Sequence, residues 1–267
     1  MDNPLLQQPL LGLLKDVEAA LKAYGVDFYL IGAIARDYHL SAHPDLQSFR
    51  KTRDVDFAIM LNDAGQFNEI KASLLASGNF EADPQEPVKL FYKHQLEVDL
   101  LPFGEIENDK GYVFLQPPNL FTVNFPGFKA VYPFVENVQV DDDFVLKVCP
   151  LEGIVILKLI AYDQDLSRAK DIEDISHMVG VYFELADEQI YFEYSDVMDL
   201  YDTDHPEYLN LIAARVIGRK MQAILEGAEE LRRMVIGVLQ RRAESWASEI
   251  VNGLEDRSQA IVQRSGR

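Results

Sequence analysis

The chain has 267 residues, 48% of them hydrophobic, with 12 Tyr and 15 Phe, which suits one large or two ordinary globular domains and argues against disorder. Its net charge of −19 excludes nucleic-acid binding by bulk electrostatics, bulk DNA binding included. The single cysteine, Cys149, excludes an intrachain disulfide and fits a reducing compartment. No apolar run nears the ~18 residues of a membrane span, and residues 1–14 lack the basic start of a signal peptide, so a soluble cytoplasmic protein with no membrane partner is expected.

Residues 5–24 carry apolar side chains at 10, 13, 14, 17, 20 and 21, a helical stripe that Gly25 ends. Residues 27–31 are predicted as a strand, Gly32 as a turn, and 33–41 as a helix ended by Pro44. A polar loop over 45–52 leads to a second strand at 54–61 and an amphipathic helix at 66–77. Residues 87–102 read as a hairpin, with strands at 88–92 and 96–101 about a turn near His94 and Gln95. Strand-like material follows at 112–115, 129–138 and 144–148. Pro150 marks a first helical position; beyond it helices are predicted at 151–162, 168–180, near 195–201, at 207–225 and at 228–252, with a loop-rich acidic stretch over 184–207. The expected fold class is α+β. Residues 1–148 form a mixed sheet with flanking helices, and residues 149–267 a mostly helical domain that packs back to complete a cleft.

Charge is unevenly placed. Residues 211–267 hold 10 Lys/Arg against 7 Asp/Glu, which leaves −22 on the other 210. An RNA partner would therefore be met locally, at Arg50, Lys51 and Arg53 or on the basic C-terminal helices; the plain alternative is a set of solvated faces.

Chemistry concentrates at a few positions. Strand side chains alternate faces, so Asp54 and Asp56 emerge together while Val55 and Phe57 point the other way. Two such carboxylates repel unless a cation sits between them, and a divalent ion is the usual solution. The Gly32 turn opens a helix whose N-terminal N–H groups form a ready phosphate site. Asp99, on the face of its strand opposite Val98 and Leu100, supplies a third carboxylate, suited to Mg²⁺ or to two ions; against this, acidic residues at strand ends are common in a chain with 44 of them. Lys158 lies in an otherwise apolar helical run with no carboxylate three or four residues away, so it either snorkels to solvent or meets an anion, such as a triphosphate, in a cleft. Ile172, Ile175 and Val179 make a core stripe that sets Asp171 and Asp174 on another face, where Arg168 is spaced to pair with Asp171 at the surface. His39 and His43 lack a third ligand for zinc, Cys149 reads as strand-end packing, and the acidic stretch 196–207 reads as solvated surface.

Together these residues resemble the DNA polymerase beta-type nucleotidyltransferase superfamily, and within it the AbiEii/AbiGii toxins of type IV toxin–antitoxin pairs. Gly32-Ala33 stands at the family's Gly-Gly or Gly-Ser turn, and Arg50-x-Thr52-x-Asp54-Val55-Asp56 at its Arg-x-Thr-x-Asp-x-Asp. Asp99 occupies the second acidic motif, Leu157-Lys158-Leu159-x-Ala161 the lysine motif, and Arg168-x-Lys170-Asp171-x-x-Asp174 the closing one. The resemblance implies a nucleotidyltransferase-like fold in residues 1–148. It also implies transfer of a nucleoside monophosphate from an NTP to a hydroxyl on an RNA 3′ end or a protein, with Mg²⁺ or Mn²⁺ and release of pyrophosphate, and a cognate antitoxin partner. It casts Asp54, Asp56 and Asp99 as metal ligands, with Asp99 also the base, and Asp171 as completing the catalytic set. Gly32, Ala33, Arg36, Thr52 and Lys158 would bind nucleotide. Ala33 retains a backbone donor but no hydroxyl, and the Gly32–Asp54 interval is long for the superfamily. The rival expectations are a silent NTP- or partner-binding protein of the same fold and a small-molecule, aminoglycoside-type nucleotidyltransferase.

Overall fold

The computed structural model describes residues 4–41, 53–116 and 120–256. The loop expected at 45–52, and with it Thr52, Arg50, Lys51, Pro44 and His43, lies outside the described residues. The chain divides into two compact units, Met1–Asp171 and Ile172–Arg267.

In the first unit, helix α1 (Leu10–Ala23) buries Leu13, Leu14, Val17 and Leu21, the positions a 3.6-residue period places on one face. Strand β1 (Phe28–Ile31) is buried along its whole length and runs without a loop into helix α2 (Gly32–Leu40). Strand β2 (Asp54–Leu61) leads to helix α3 (Ala64–Ala76), whose first turn is capped by the Asp63 carboxylate accepting from the Gln66 amide at 2.9 Å. Three strands follow, β3 (Phe80–Ala82), β4 (Lys89–Tyr92) and β5 (Leu96–Gly104), then a separate two-stranded sheet of β6 (Tyr112–Leu115) and β7 (Phe121–Asn124). Strands β8 (Glu136–Asp141) and β9 (Phe144–Val148) complete a seven-stranded sheet in the order β3-β4-β5-β2-β1-β9-β8. Pairs β1–β9 and β2–β5 are parallel and the rest antiparallel, which is the mixed sheet expected. Every element after Val148 among the described residues is helical, beginning with α5 (Leu151–Gln164) and α6 (Ala169–Leu185).

The predicted hairpin forms with Tyr92 opposite Leu96, its turn closed by Lys93 and His94 at φ 48° and 55°. The strand expected over 129–138 does not begin there. Helix α4 (Phe128–Val131) and a 3-10 turn at Tyr132–Phe134 precede β8. Phe128 and Val131, three residues apart, are both buried, the Phe128 carbonyl is taken by the Tyr29 hydroxyl at 3.0 Å, and Pro133 has no N–H to give a sheet. Strands β3 and β7 lie where sequence patterning gives no signal.

The second unit continues α6 and adds α7 (Asp187–Glu193), α8 (Ser195–Met198), α9 (Tyr208–Ile224), α10 (Glu229–Gln240) and α11 (Ser245–Glu255). The stretch 184–207, expected as loop-rich with a short helix near 195–201, contains α7, with Ile190 buried, as well as α8. The single helix expected over 228–252 is two, divided at 241–244. Helices α9 and α11 cross in backbone contact: a Cβ on Gly218 would stand 2.9 Å from the Cα of Gly253. Beside that crossing Arg215 grips Asp256 (2.9 and 2.5 Å) and Glu249 (3.2 Å), while Arg219 grips Asp256 (2.6 Å) and Asp196 (2.7 Å). No helix among the described residues is long and apolar enough to cross a membrane.

Candidate active site

The site is built on one row of residues across the sheet. Lys89 on β4 is opposite Asp99 on β5, Asp99 is in register with Asp56 on β2, and Asp56 is opposite Ile31, the last residue of β1. Neighbouring strands are ~4.8 Å apart, so the Asp56 and Asp99 carboxylates emerge side by side, with Asp54 two residues before on the same face. The alternate residues Val55, Phe57, Val98 and Leu100 are buried on the other face, which fixes the register. A one-residue slip would send all of them to the wrong side.

Gly32, next after Ile31, turns the chain from β1 into α2 against the Asp56 carboxylate. Its φ is 71°, and a Cβ there would overlap Asp56 Oδ2 and lie 3.0 Å from Cγ. Glycine is thus required twice, for the left-handed backbone and for the room the carboxylate takes. Ala33 follows in the first turn of α2. Arg36, on the same helix, is only 4% exposed, and its Nε and Nη2 donate to Asp37 at 2.9 and 2.8 Å. His39 bonds the Cys149 carbonyl at 2.8 Å.

The carboxylates are not balanced where they stand. Burial, followed by the charges of Asp99 and Asp54, pushes the Asp56 carboxyl up to about 7 against the pull of Lys158 and Arg168. Burial also raises Asp99, to about 6; Lys89 opposes the shift, and Glu86, Asp54 and Glu97 add to it. Asp99 Oδ1 is buried with no hydrogen-bond partner among the described residues, an oxygen that a native fold seldom leaves unsatisfied without a functional reason. An orphaned carboxylate oxygen beside like charges is the donor set a hard divalent cation takes. As placed, no group of three or more His, Cys, Asp or Glu among the described residues suffices by itself to hold a metal. Magnesium-type sites that retain water and substrate phosphate oxygens match such a partial set.

The positive side of the site comes from the junction of α5 and α6. Lys158, with its side chain 12% exposed, neither snorkels nor awaits a ligand alone: its Nζ donates to Asp171 Oδ1 at 2.7 Å. Asp171 is itself buried, in the first turn of α6, so its pairing with Arg168 (Nε to Oδ2, 2.7 Å) is not the surface pair that the i,i+3 spacing suggests. The turn is held by the Ser167 amide on Asp165 and the Arg168 amide on the Asp165 carbonyl, both 3.0 Å. The charges of Lys158 and Arg168 reach Asp56, Asp171 pairs with both cations, Asp56 and Asp99 are in register on adjacent strands, and Gly32 stands against the Asp56 carboxylate. Sequence reasoning misses two members. Lys89 is readable only once the hairpin turn fixes its partner, and Arg168, although part of the closing motif, is spaced like a surface residue.

A family model described as nucleotidyl transferase AbiEii toxin, type IV TA system, matches residues 13–264. Among solved structures, the chain is similar to the antibiotic-resistance factor ANT(2'')-Ia at 14% identity and TM-score 0.40, over 82% of this chain and 96% of that one. It is also similar to an antigenic nucleotidyltransferase-like protein from Paracoccidioides brasiliensis (17%, TM-score 0.35, 68% and 88%). A third is the CD-NTase CdnG of Bradyrhizobium diazoefficiens in complex with GTP (11%, TM-score 0.29, 92% and 93%). No curated protein matches in sequence.

Proposed function

The chain belongs to the nucleotidyl transferase AbiEii toxin family of type IV toxin–antitoxin systems, and from that premise we propose that it moves a nucleoside monophosphate from an NTP to a hydroxyl of an RNA 3′ end or a protein side chain, in the cytoplasm. The observation that carries this reading is the in-register Asp56–Asp99 pair, with Asp56 against the Gly32 turn and under the influence of the Lys158 charge.

Asp54, Asp56 and Asp99 would hold Mg²⁺ or Mn²⁺, which when bound supplies charge neutralisation for phosphoryl transfer. Backbone N–H groups at Gly32 and Ala33 orient the donor phosphates at the start of α2, the helix that also carries Arg36. Lys158, preset by Asp171, binds the phosphates. Asp99, with its carboxyl at about 6, is ionised at neutral pH and accepts the acceptor's proton. The acceptor oxygen bonds to the α-phosphorus, the α–β bridging P–O bond breaks, and pyrophosphate leaves with its charge met by Lys158. Most of the acceleration comes from positioning and electrostatic stabilisation.

A cognate antitoxin would be this protein's regulatory partner. The decisive experiment incubates the protein with Mg²⁺, each α-labelled NTP, and total RNA or cell protein. Label transferred by the parent and lost in Asp54→Asn and Asp56→Asn supports the reading. Equal transfer by the variants overturns it, and NTP binding without pyrophosphate release would favour the silent protein.

A further inference from the structure

Lys158 and Arg168 share a single carboxylate but differ in exposure. Lys158 is nearly enclosed, whereas Arg168 is 53% exposed, and Asp171 engages it only through Nε. The guanidinium offers five N–H donors in a planar fork; one is committed to Asp171, and the terminal nitrogens lie beyond that bond. Asp171 therefore acts as a bracket. One buried oxygen pair holds an inner ammonium and an outer guanidinium in fixed relation, ten residues apart in sequence, with the 165–168 turn fastening the outer one. Both cations act on Asp56 against the charges of Asp99 and Asp54.

We propose that Arg168 is a nucleotide-contacting residue, its terminal nitrogens binding the β- and γ-phosphates of the donor outside Lys158, and that Asp171 is the positioning residue that sets both cations. This rests on the nucleotidyltransferase reading of the same site. The donor's reacting α-phosphate belongs beside the carboxylates, so its departing end extends toward the cations, and the outermost, most solvated phosphates meet the most exposed of them. A planar fork anchored at Nε suits two phosphate oxygens, whereas a point charge does not. The bracket also explains why a carboxylate stands among phosphate-binding groups: it sets the cations and faces no phosphate itself.

The test is calorimetric binding of ATP, CTP, GTP and UTP, and of the matching di- and monophosphates, to the full chain with Mg²⁺ and no acceptor. For the preferred base, Arg168→Ala weakens triphosphate binding about tenfold or more and monophosphate binding less than twofold. Arg168→Gln behaves as Arg168→Ala and guards against a folding defect, while Arg168→Lys recovers only part of the affinity. In transfer assays KM for NTP rises more than kcat falls. Asp171→Asn loses affinity for triphosphate and monophosphate alike, because Lys158 is released too. Triphosphate affinity unchanged in Arg168→Ala, or equal losses for tri- and monophosphate, overturns the assignment. A parent chain that binds no NTP at all overturns instead the reading on which it rests.

Discussion

Two half-buried carboxylates with opposite fates divide the molecule. In the second unit, burial would raise Asp256, but Arg215 and Arg219 hold it below the usual carboxylate range, and Glu249 also pairs with Arg215 and Asp196 with Arg219. In the first unit, Asp56 is raised to about 7, since burial is joined by the charges of Asp99 and Asp54 and answered only at a distance by Lys158 and Arg168. A network that satisfies itself is structural, because every charge has a partner in the fold. A cluster of one sign held together by the backbone is unstable by itself and gains when something positive arrives. Keeping such a cluster costs stability, as is expected where a fold trades stability for chemistry.

The largest expected effect tests the uncompensated side. Asp56→Asn should lower nucleotide transfer about 10³-fold or more, on the order of 4 kcal/mol of transition-state stabilisation, while raising the thermal midpoint of the free protein. An inactive variant with a lowered midpoint would mean that Asp56 is structural after all. On the compensated side, Asp256→Ala strands two arginines and should destabilise the protein by about 3 kcal/mol, read as a drop in denaturant midpoint by circular dichroism. No change there would erase the contrast. Gly32→Ala comes next. Left-handed φ costs about 1 kcal/mol for alanine, and the added Cβ must displace the Asp56 carboxylate; transfer should fall about tenfold to a hundredfold with a stability loss of about 1–2 kcal/mol. A crystal structure of the variant showing Asp56 unmoved would break the link between the turn and the carboxylate.

Much of this contrast is legible in the amino-acid sequence. The period-two pattern around Asp54 and Asp56 and the faces of Leu96–Gly104 mark the two strands and the side their carboxylates occupy, because one apolar face leaves no choice of register. The seven-strand order is not legible, since β1–β2 and β2–β5 pair across tens of residues and local pattern carries no such information. Lys158 stands out by its apolar surroundings, but its partner Asp171 lies across a helix junction that spacing on one helix cannot reveal. Tyr132, Pro133 and Phe134 mislead because aromatic residues favour strands only when they fit a pleated, half-buried surface; here Tyr132 packs against Tyr29 and Phe103 at ring separations of 6.1 and 5.9 Å.

The smallest effect is the most specific to the comparison, because the two carboxylates must drive stability in opposite directions with pH. Asp256, lowered in the fold, contributes stability that is present above its unfolded value near 4 and is lost as pH falls. Asp56 and Asp99 are raised to about 7 and about 6, so between pH 4 and 7 the folded chain holds protons that the unfolded chain has released. Stability must fall as pH rises through that window. A rise from the usual carboxylate range to about 7 corresponds to roughly 4 kcal/mol, and solvent screening of these partly exposed groups leaves about 2 kcal/mol. Subtracting the denaturant-derived stability of Asp56→Asn/Asp99→Asn from that of the parent, pH by pH, removes Asp256 and every other group common to both. The difference should be near zero at pH 4 and reach about −2 kcal/mol by pH 8. Millimolar Mg²⁺ should shrink that deficit in the parent and leave the double variant unmoved, because only the parent retains the charges a cation would neutralise. A flat difference profile would place Asp56 and Asp99 in the same class as Asp256, as carboxylates the fold has already satisfied.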